Sequence, residues 1–188
     1  MFTKTFKSMS AAKQISFLAV FVALSVVANS FLGIDISPTN KITFTYFICF
    51  FAGFLFGPLP AFLVGFLGDL IGFLIVPVGV YWLYGVSLGL YGFLAGLIMN
   101  FISGEGLGRQ YAKATLALSV CFVLITCFLN SVVMYYYMYL FVWDNVFKKA
   151  FLVYLGGRLG FQSIIYAVNA GMCLLALPLF VRFRNFLR

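Results

Sequence analysis

The segment from residue 114 to residue 141 reads ATLALSVCFVLITCFLNSVVMYYYMYLF. It carries no Asp, Glu, Lys or Arg, and it exceeds the roughly 20 apolar residues that take a helix across a bilayer. A water-soluble chain of this length has too little interior to hide such a helix and the others like it. Of 188 residues, 64% are hydrophobic, 20% aromatic and only 9% charged, whereas soluble domains are about 25% charged. The bilayer must therefore act as solvent for the outer surface. An all-α integral membrane protein is expected, with residues 1–188 as a single transmembrane domain.

Working outward from that segment, punctuation residues divide the chain into six predicted spans at about 12–31, 41–56, 61–75, 84–102, 114–141 and 150–180. Asn29, Ser30 and Gly33 end the first span, and Asp35, Pro38, Thr39 and Asn40 mark a loop. Gly57-Pro58-Leu59-Pro60 forces a tight turn between the second and third. Pro77 and Gly79 break the chain again, a polar connection covers 103–113, and a loop covers 144–149. The first dozen residues form a basic amphipathic lead-in, and the first apolar run lacks a clear signal-cleavage site. The second and third spans are short, so they rely on neighbours and loops to satisfy their ends. In the fourth, Gly85, Gly89, Gly92 and Gly96 form a stripe that allows close helix approach.

Orientation follows from the basic residues. With six spans and both termini inside, Lys4, Lys7, Lys13, Arg109, Lys113, Arg182, Arg184 and Arg188 are inside, and Lys41, Lys148 and Lys149 are outside. Both termini are thus expected to be cytoplasmic. The same distribution explains the net charge of +8 without a nucleic-acid partner, because the basic residues sit at the ends of apolar runs.

Catalysis has little to work with. The chain has no His and four acids, and it lacks a P-loop and a GxSxG motif. Cys49, Cys121, Cys127 and Cys173 lie in apolar stretches without a CxxC pair, so they count as small buried hydrophobes, and neither a metal nor a cofactor is expected. No enzyme is expected.

Three features remain. Arg158, about two turns into the sixth span, and Asp69, mid-way along the third, are charges in membrane-spanning sequence. Such groups face a partner, a cavity or a pathway; Arg158 has snorkelling to the outer interface as its alternative, and Asp69 is first of all a structural charge bonded to helix ends or a nearby Tyr. The outer loops offer Asp35, Thr39, Asn40 and Lys41, then Tyr81, Trp82 and Tyr84, then Trp143, Asp144 and Asn145. Such residues make either an interfacial belt or a small-molecule pocket. Ala19 and Ala23, followed by Ala28, form a small-residue surface for another helix, inside the bundle or outside it.

Several fragments resemble a known family. Phe17-Leu-Ala-Val-Phe-Val-Ala-Leu-Ser-Val-Val-Ala28 is similar to the opening helix of the substrate-capture (S) components of energy-coupling factor (ECF) vitamin transporters. Ser37-Pro-Thr-Asn-Lys-Ile-Thr-Phe-Thr-Tyr-Phe47, Ala52-Gly53, Phe56-Gly57-Pro58, Gly68-Asp69-Leu-Ile-Gly72, Pro77-Val-Gly79-Val-Tyr81, Leu129-Asn130 and Gly157-Arg158-Leu159 resemble the folate branch, in the same order along nearly the whole chain. The resemblance implies a six-helix subunit of the bacterial plasma membrane that binds a water-soluble vitamin near its outer face. It also implies docking through Ala19 and Ala23 on a transmembrane coupling subunit driven by two ATPases, with delivery by reorientation in the membrane.

Folate carriers often read Ala-Arg-Leu-Ile-Lys-Asn where this chain has Gly157-Arg158-Leu159-Gly160-Phe161-Gln162. The arginine matches, but Phe161 replaces a lysine and Gln162 an asparagine. Folate has two carboxylates, so Lys41 is the candidate for the missing cation, and pantothenate, with one carboxylate, is the alternative substrate along with other small vitamins. The expected site has Arg158 holding an anion bidentately, Gln162 and Asn130 as hydrogen-bonding groups, and Tyr81, Trp82 and Tyr84 as a lid. Tyr81, Trp82 and Trp143 would stack a flat ring. A stand-alone secondary carrier is the rival class; against it, the chain is small and shows no internal repeat.

Overall fold

The computed structural model describes residues 2–37, 40–77, 80–102, 104, 106–143 and 145–187, and the side chains of residues 4, 34–37 and 40–42 lie outside the description. Its elements are α1 (Lys4–Ser8), α2 (Ala11–Phe31), β1 (Ile34–Ser37), β2 (Asn40–Ile42), α3 (Thr45–Phe56), α4 (Pro58–Ile75), α5 (Tyr84–Phe101), α6 (Leu107–Phe141) and α7 (Phe151–Phe186). The last residues of α2, Val27–Phe31, and the middle of α6, Phe122–Leu129, are wound as π-helix. Among the described residues five helices, α2, α4, α5, α6 and α7, are long and apolar enough to cross a membrane.

The second predicted span is shorter than expected. Residues 40–42 form a strand, with Ile34 opposite Ile42 and Asp35 opposite Lys41, so the helix starts at Thr45 rather than at Lys41. Its 12 residues rise about 18 Å, and from Cys49 to Phe56 every residue is buried. At its far end Gly57, with φ 108°, reverses the chain, and Pro58 opens α4 at a position whose missing N–H costs nothing. The free carbonyls there are met by the lead-in: Thr3 donates its backbone N–H to Phe56 O at 3.0 Å and its hydroxyl to Leu55 O at 2.7 Å. Phe6 then packs on Phe56, ring centroids 5.2 Å apart. The fifth span also departs from expectation, starting at Leu107 and absorbing most of the polar connection.

The glycine stripe of α5 is a packing surface. A Cβ at Gly53 of α3 would lie 2.7 Å from Gly96 N and 2.8 Å from Gly92 O, so the two backbones nearly touch. Asn100 seals the crossing by donating Nδ2 to Gly53 O and Gly96 O, both at 2.8 Å. On the other side Gly89 and Gly92 lie against Phe62 and Ala61 of α4. Helix α7 is held differently. Its buried residues Arg158, Gln162, Ile165, Asn169, Cys173 and Leu177 follow helical spacing along one face, while Gly156, Gly157 and Gly160 have open space beside them.

Gly96→Ala is expected to lower the thermal unfolding midpoint in detergent, at a cost of about 1–3 kcal/mol, because its new Cβ meets backbone that cannot turn aside. Gly160→Ala should leave the midpoint unchanged or raise it slightly. Equal effects of the two would contradict the glycine crossing.

Candidate ligand-binding site

Arg158 lies two turns into α7 and is 6% exposed. Its Nη1 donates to Tyr154 Oη at 3.1 Å, with the guanidinium carbon 5.8 Å from that ring's centroid. Tyr154 precedes Arg158 by four residues, so it is the neighbour one turn back. No acid pairs with Arg158 among the described residues, and its Nε, shielded from solvent, has no hydrogen-bond partner there. One turn further along, Gln162 is 4% exposed and its Oε1 is also without a partner. The alternative of Arg158 snorkelling to the interface is thus not what the structure has; the guanidinium is buried.

Facing this stretch of α7 are groups from three other helices. Tyr46 of α3 and Tyr84 at the start of α5 lie within electrostatic reach of Arg158. Asn130 of α6 donates Nδ2 to Tyr46 Oη at 3.3 Å, and Thr126 adjoins the same hydroxyl. Asn130 is aimed by the π-helical stretch, since its own N–H bonds Ile125 O, five residues back. Tyr46 is also propped by Tyr91, centroids 4.8 Å apart. Tyr84 donates its hydroxyl to Met134 Sδ.

The aromatic loops close in around this cluster. Trp143 is buried against Tyr135 and Tyr154, at centroid distances of 5.7 and 6.2 Å, which puts it one ring from Arg158. Tyr135 fixes the loop by donating its hydroxyl to Lys149 O at 2.7 Å. Trp82 donates Nε1 to Val133 O at 3.2 Å and packs edge-on to Phe141, tying the 80–83 segment to α6. Tyr81 turns the other way, onto Phe73 of α4. Beside Gly85, an added Cβ would lie 2.5 Å from Tyr81 Oη and 3.3 Å from Asp69 Oδ2; burial and the Asp69 carboxylate push the Tyr81 hydroxyl up to about 12, so it stays a neutral donor.

Of the residues expected from sequence, Arg158, Gln162, Asn130 and Tyr84 therefore come together, with Trp143 behind Tyr154. Tyr81 and Trp82 are held by α4 and α6 respectively, and the Lys41 side chain lies outside the described residues, as does Asp144. Asp69 is 8% exposed and accepts from Asn29 Nδ2 at 3.0 Å, which ties the π-helical end of α2 to α4. Ala19 and Ala23 are exposed on α2, on one face with Ala12 and Ser16. Among the described residues, no three His, Cys, Asp or Glu side chains gather.

The sequence reading missed Tyr46, Tyr154 and Asn169. Tyr154 was findable from its spacing to Arg158. Asn169 continues the same face of α7 and, at 2% exposure, donates Nδ2 to Thr43 O and Ile165 O, both at 3.0 Å, while Oδ1 accepts from Phe47 N at 3.3 Å. It thereby locks α7 to the start of α3, next to Tyr46.

The polar groups gathered here are a buried cation, tyrosines and amides. Residues 9–178 match the family model for ECF-type riboflavin transporter, S component. The chain belongs to this S-component family. Its members are transporter components, and the S-component fold is seen in a solved structure described as FolT bound with folic acid. That structure superimposes with a TM-score of 0.70 at 23% identity, covering 90% of this chain and 98% of that one. No curated protein sequence matches this S component.

Asn169→Ala removes three hydrogen bonds from a buried position, and a cost of about 2–4 kcal/mol is expected. A fall in the unfolding midpoint, with Ala167→Ser on the exposed face of α7 as the neutral control, is the measurement.

Proposed function

We propose that this S component is a vitamin-capture subunit: a six-helix, multi-pass protein of the bacterial plasma membrane, with both termini cytoplasmic and α3 as the short sixth span. It binds a water-soluble vitamin near the extracellular face, at the cluster around Arg158. The observation that carries the reading is the buried guanidinium whose Nε has no partner among the described residues. A lone charge in a bundle interior is costly, and a ligand that brings an acceptor relieves that cost.

Capture alone does not move the vitamin across. Delivery would come from reorientation of the whole subunit in the membrane, with a transmembrane coupling subunit and two ATPases supplying the energy. The exposed small-residue face Ala12, Ser16, Ala19 and Ala23 supports α2 as the docking helix, because small side chains let a second helix approach closely. The excess of Lys and Arg near the termini and in the 103–113 connection, against Lys41, Lys148 and Lys149 elsewhere, supports the cytoplasmic placement of both termini.

Folate is the first substrate for this reading, supported by the resemblance of its motifs and by the shared fold. Riboflavin is the second, favoured by the description of the matching family. Arg158 serves either one, holding a carboxylate of a tail or a carbonyl of a ring.

Calorimetry on the purified protein tests the assignment. Arg158→Ala is expected to weaken vitamin binding about tenfold or more, the equivalent of one charge-assisted hydrogen bond. Unchanged affinity would remove Arg158 from the site.

A further inference from the structure

On neighbouring turns of α7 two unlike atoms have no partner among the described residues: a donor, Arg158 Nε, and an acceptor, Gln162 Oε1. Both residues are more than nine-tenths buried. Neither atom can be satisfied by turning a hydroxyl, since guanidinium and carboxamide are planar groups with fixed donor and acceptor directions. Residues four apart on a helix have side chains about 5–6 Å from each other at Cβ, so one ligand group can meet both.

The chemistry of that group follows from the pair. A carboxylate only accepts. It would satisfy Arg158 and leave the Gln162 oxygen buried without a donor, which is the unfavourable half of hydrogen-bond energetics. A group that accepts at one atom and donates at the next satisfies both. Ring lactams and imides have that edge, a ring carbonyl beside a ring N–H, and so does the cis-amide edge of a pteridine or flavin. An open-chain secondary amide is trans, with its C=O and N–H on opposite sides, and does not.

We propose that Arg158 and Gln162 together read the carbonyl/N–H edge of a planar heterocycle, so that the vitamin enters ring first. This rests on the vitamin-capture reading and specifies which end of the ligand the site holds. Gln162 lies one turn further from the 142–150 loop than Arg158, so the ring edge is the deep end and the tail points back toward Trp143. The tyrosines around Arg158, Tyr46, Tyr84 and Tyr154, then flank an aromatic ring rather than an aliphatic acid. Gln162 becomes the specificity-determining residue: it selects against ligands anchored by carboxylates alone, by leaving an unpaired buried oxygen when they bind.

The test is calorimetry of the full-length protein in detergent with four probes. Riboflavin has the imide edge and no carboxylate; folic acid has the lactam edge and two carboxylates. p-Aminobenzoylglutamate has folic acid's carboxylates without its ring lactam, and pantothenate has one carboxylate and no ring. At least one probe with the lactam or imide edge is expected to bind at micromolar concentration or tighter, and both probes without that edge about 100-fold more weakly or not at all. Gln162→Leu, checked for a monodisperse elution profile, should weaken the ring-bearing probe about tenfold or more. A probe without the lactam or imide edge binding as tightly as one that has it, or unchanged affinity in folded Gln162→Leu, overturns the edge proposal and leaves vitamin capture standing. If no probe binds, vitamin capture itself fails and the edge proposal with it.

Discussion

A guanidinium buried among tyrosines, with no acid beside it among the described residues, is the constraint on which the rest of the site depends. Leaving a buried charge uncompensated costs about 3–5 kcal/mol, so the fold must hold Arg158 where the charge has some other use. Tyr154 provides a hydroxyl and a ring face, which stabilises the cation only in part. Tyr46 and Tyr84 lie within electrostatic reach of the same cation, and a ligand acceptor at its Nε would make up the deficit.

Holding a costly group in place requires rigidity nearby, and the two halves of the bundle supply it by different means. Helices α3, α4 and α5 meet through glycines, with backbones close enough that a single added Cβ has nowhere to go. Helices α6 and α7 meet that unit through larger apolar side chains, such as Phe180 stacked on Phe51, and through directed polar contacts: Asn130 to Tyr46, Trp82 to Val133, and the three bonds of Asn169. A zipped frame thus carries Tyr46 and Tyr84, while the adjustable elements carry Arg158, Gln162 and Asn130. A ligand bridging the two would add contacts between the glycine-packed unit and the helices that carry Arg158 and Asn130.

Much of this was legible in the residues themselves, because bilayer physics leaves few choices. The segment 114–141 had to be a helix, Gly85 to Gly96 had to face close neighbours, and Arg158 had to be exceptional. What was not legible depends on pairing between distant segments. The start of α3 moved from Lys41 to Thr45 because 40–42 pair with 34–37, an alternative to helix that local composition does not signal. Tyr46 and Asn130 are 84 residues apart, and Asn169 and Thr43 are 126 apart; no periodicity reports such contacts. The π-helical stretch that aims Asn130 gave no sign in its apolar sequence. The loop aromatics were read as one lid, whereas the fold sends Tyr81 to α4 and Trp82 to α6, because their partners, Phe73, Asp69 and Val133, lie on opposite sides of the 80–83 segment.

The most direct test of the central claim is an experimental structure of the protein with its vitamin bound. Expected is a ligand acceptor within about 3 Å of Arg158 Nε, the ordinary distance for such a bond, with the ligand's ring among Tyr46, Tyr84 and Tyr154. A vitamin bound elsewhere in the bundle, with Arg158 Nε still unpartnered, would contradict it.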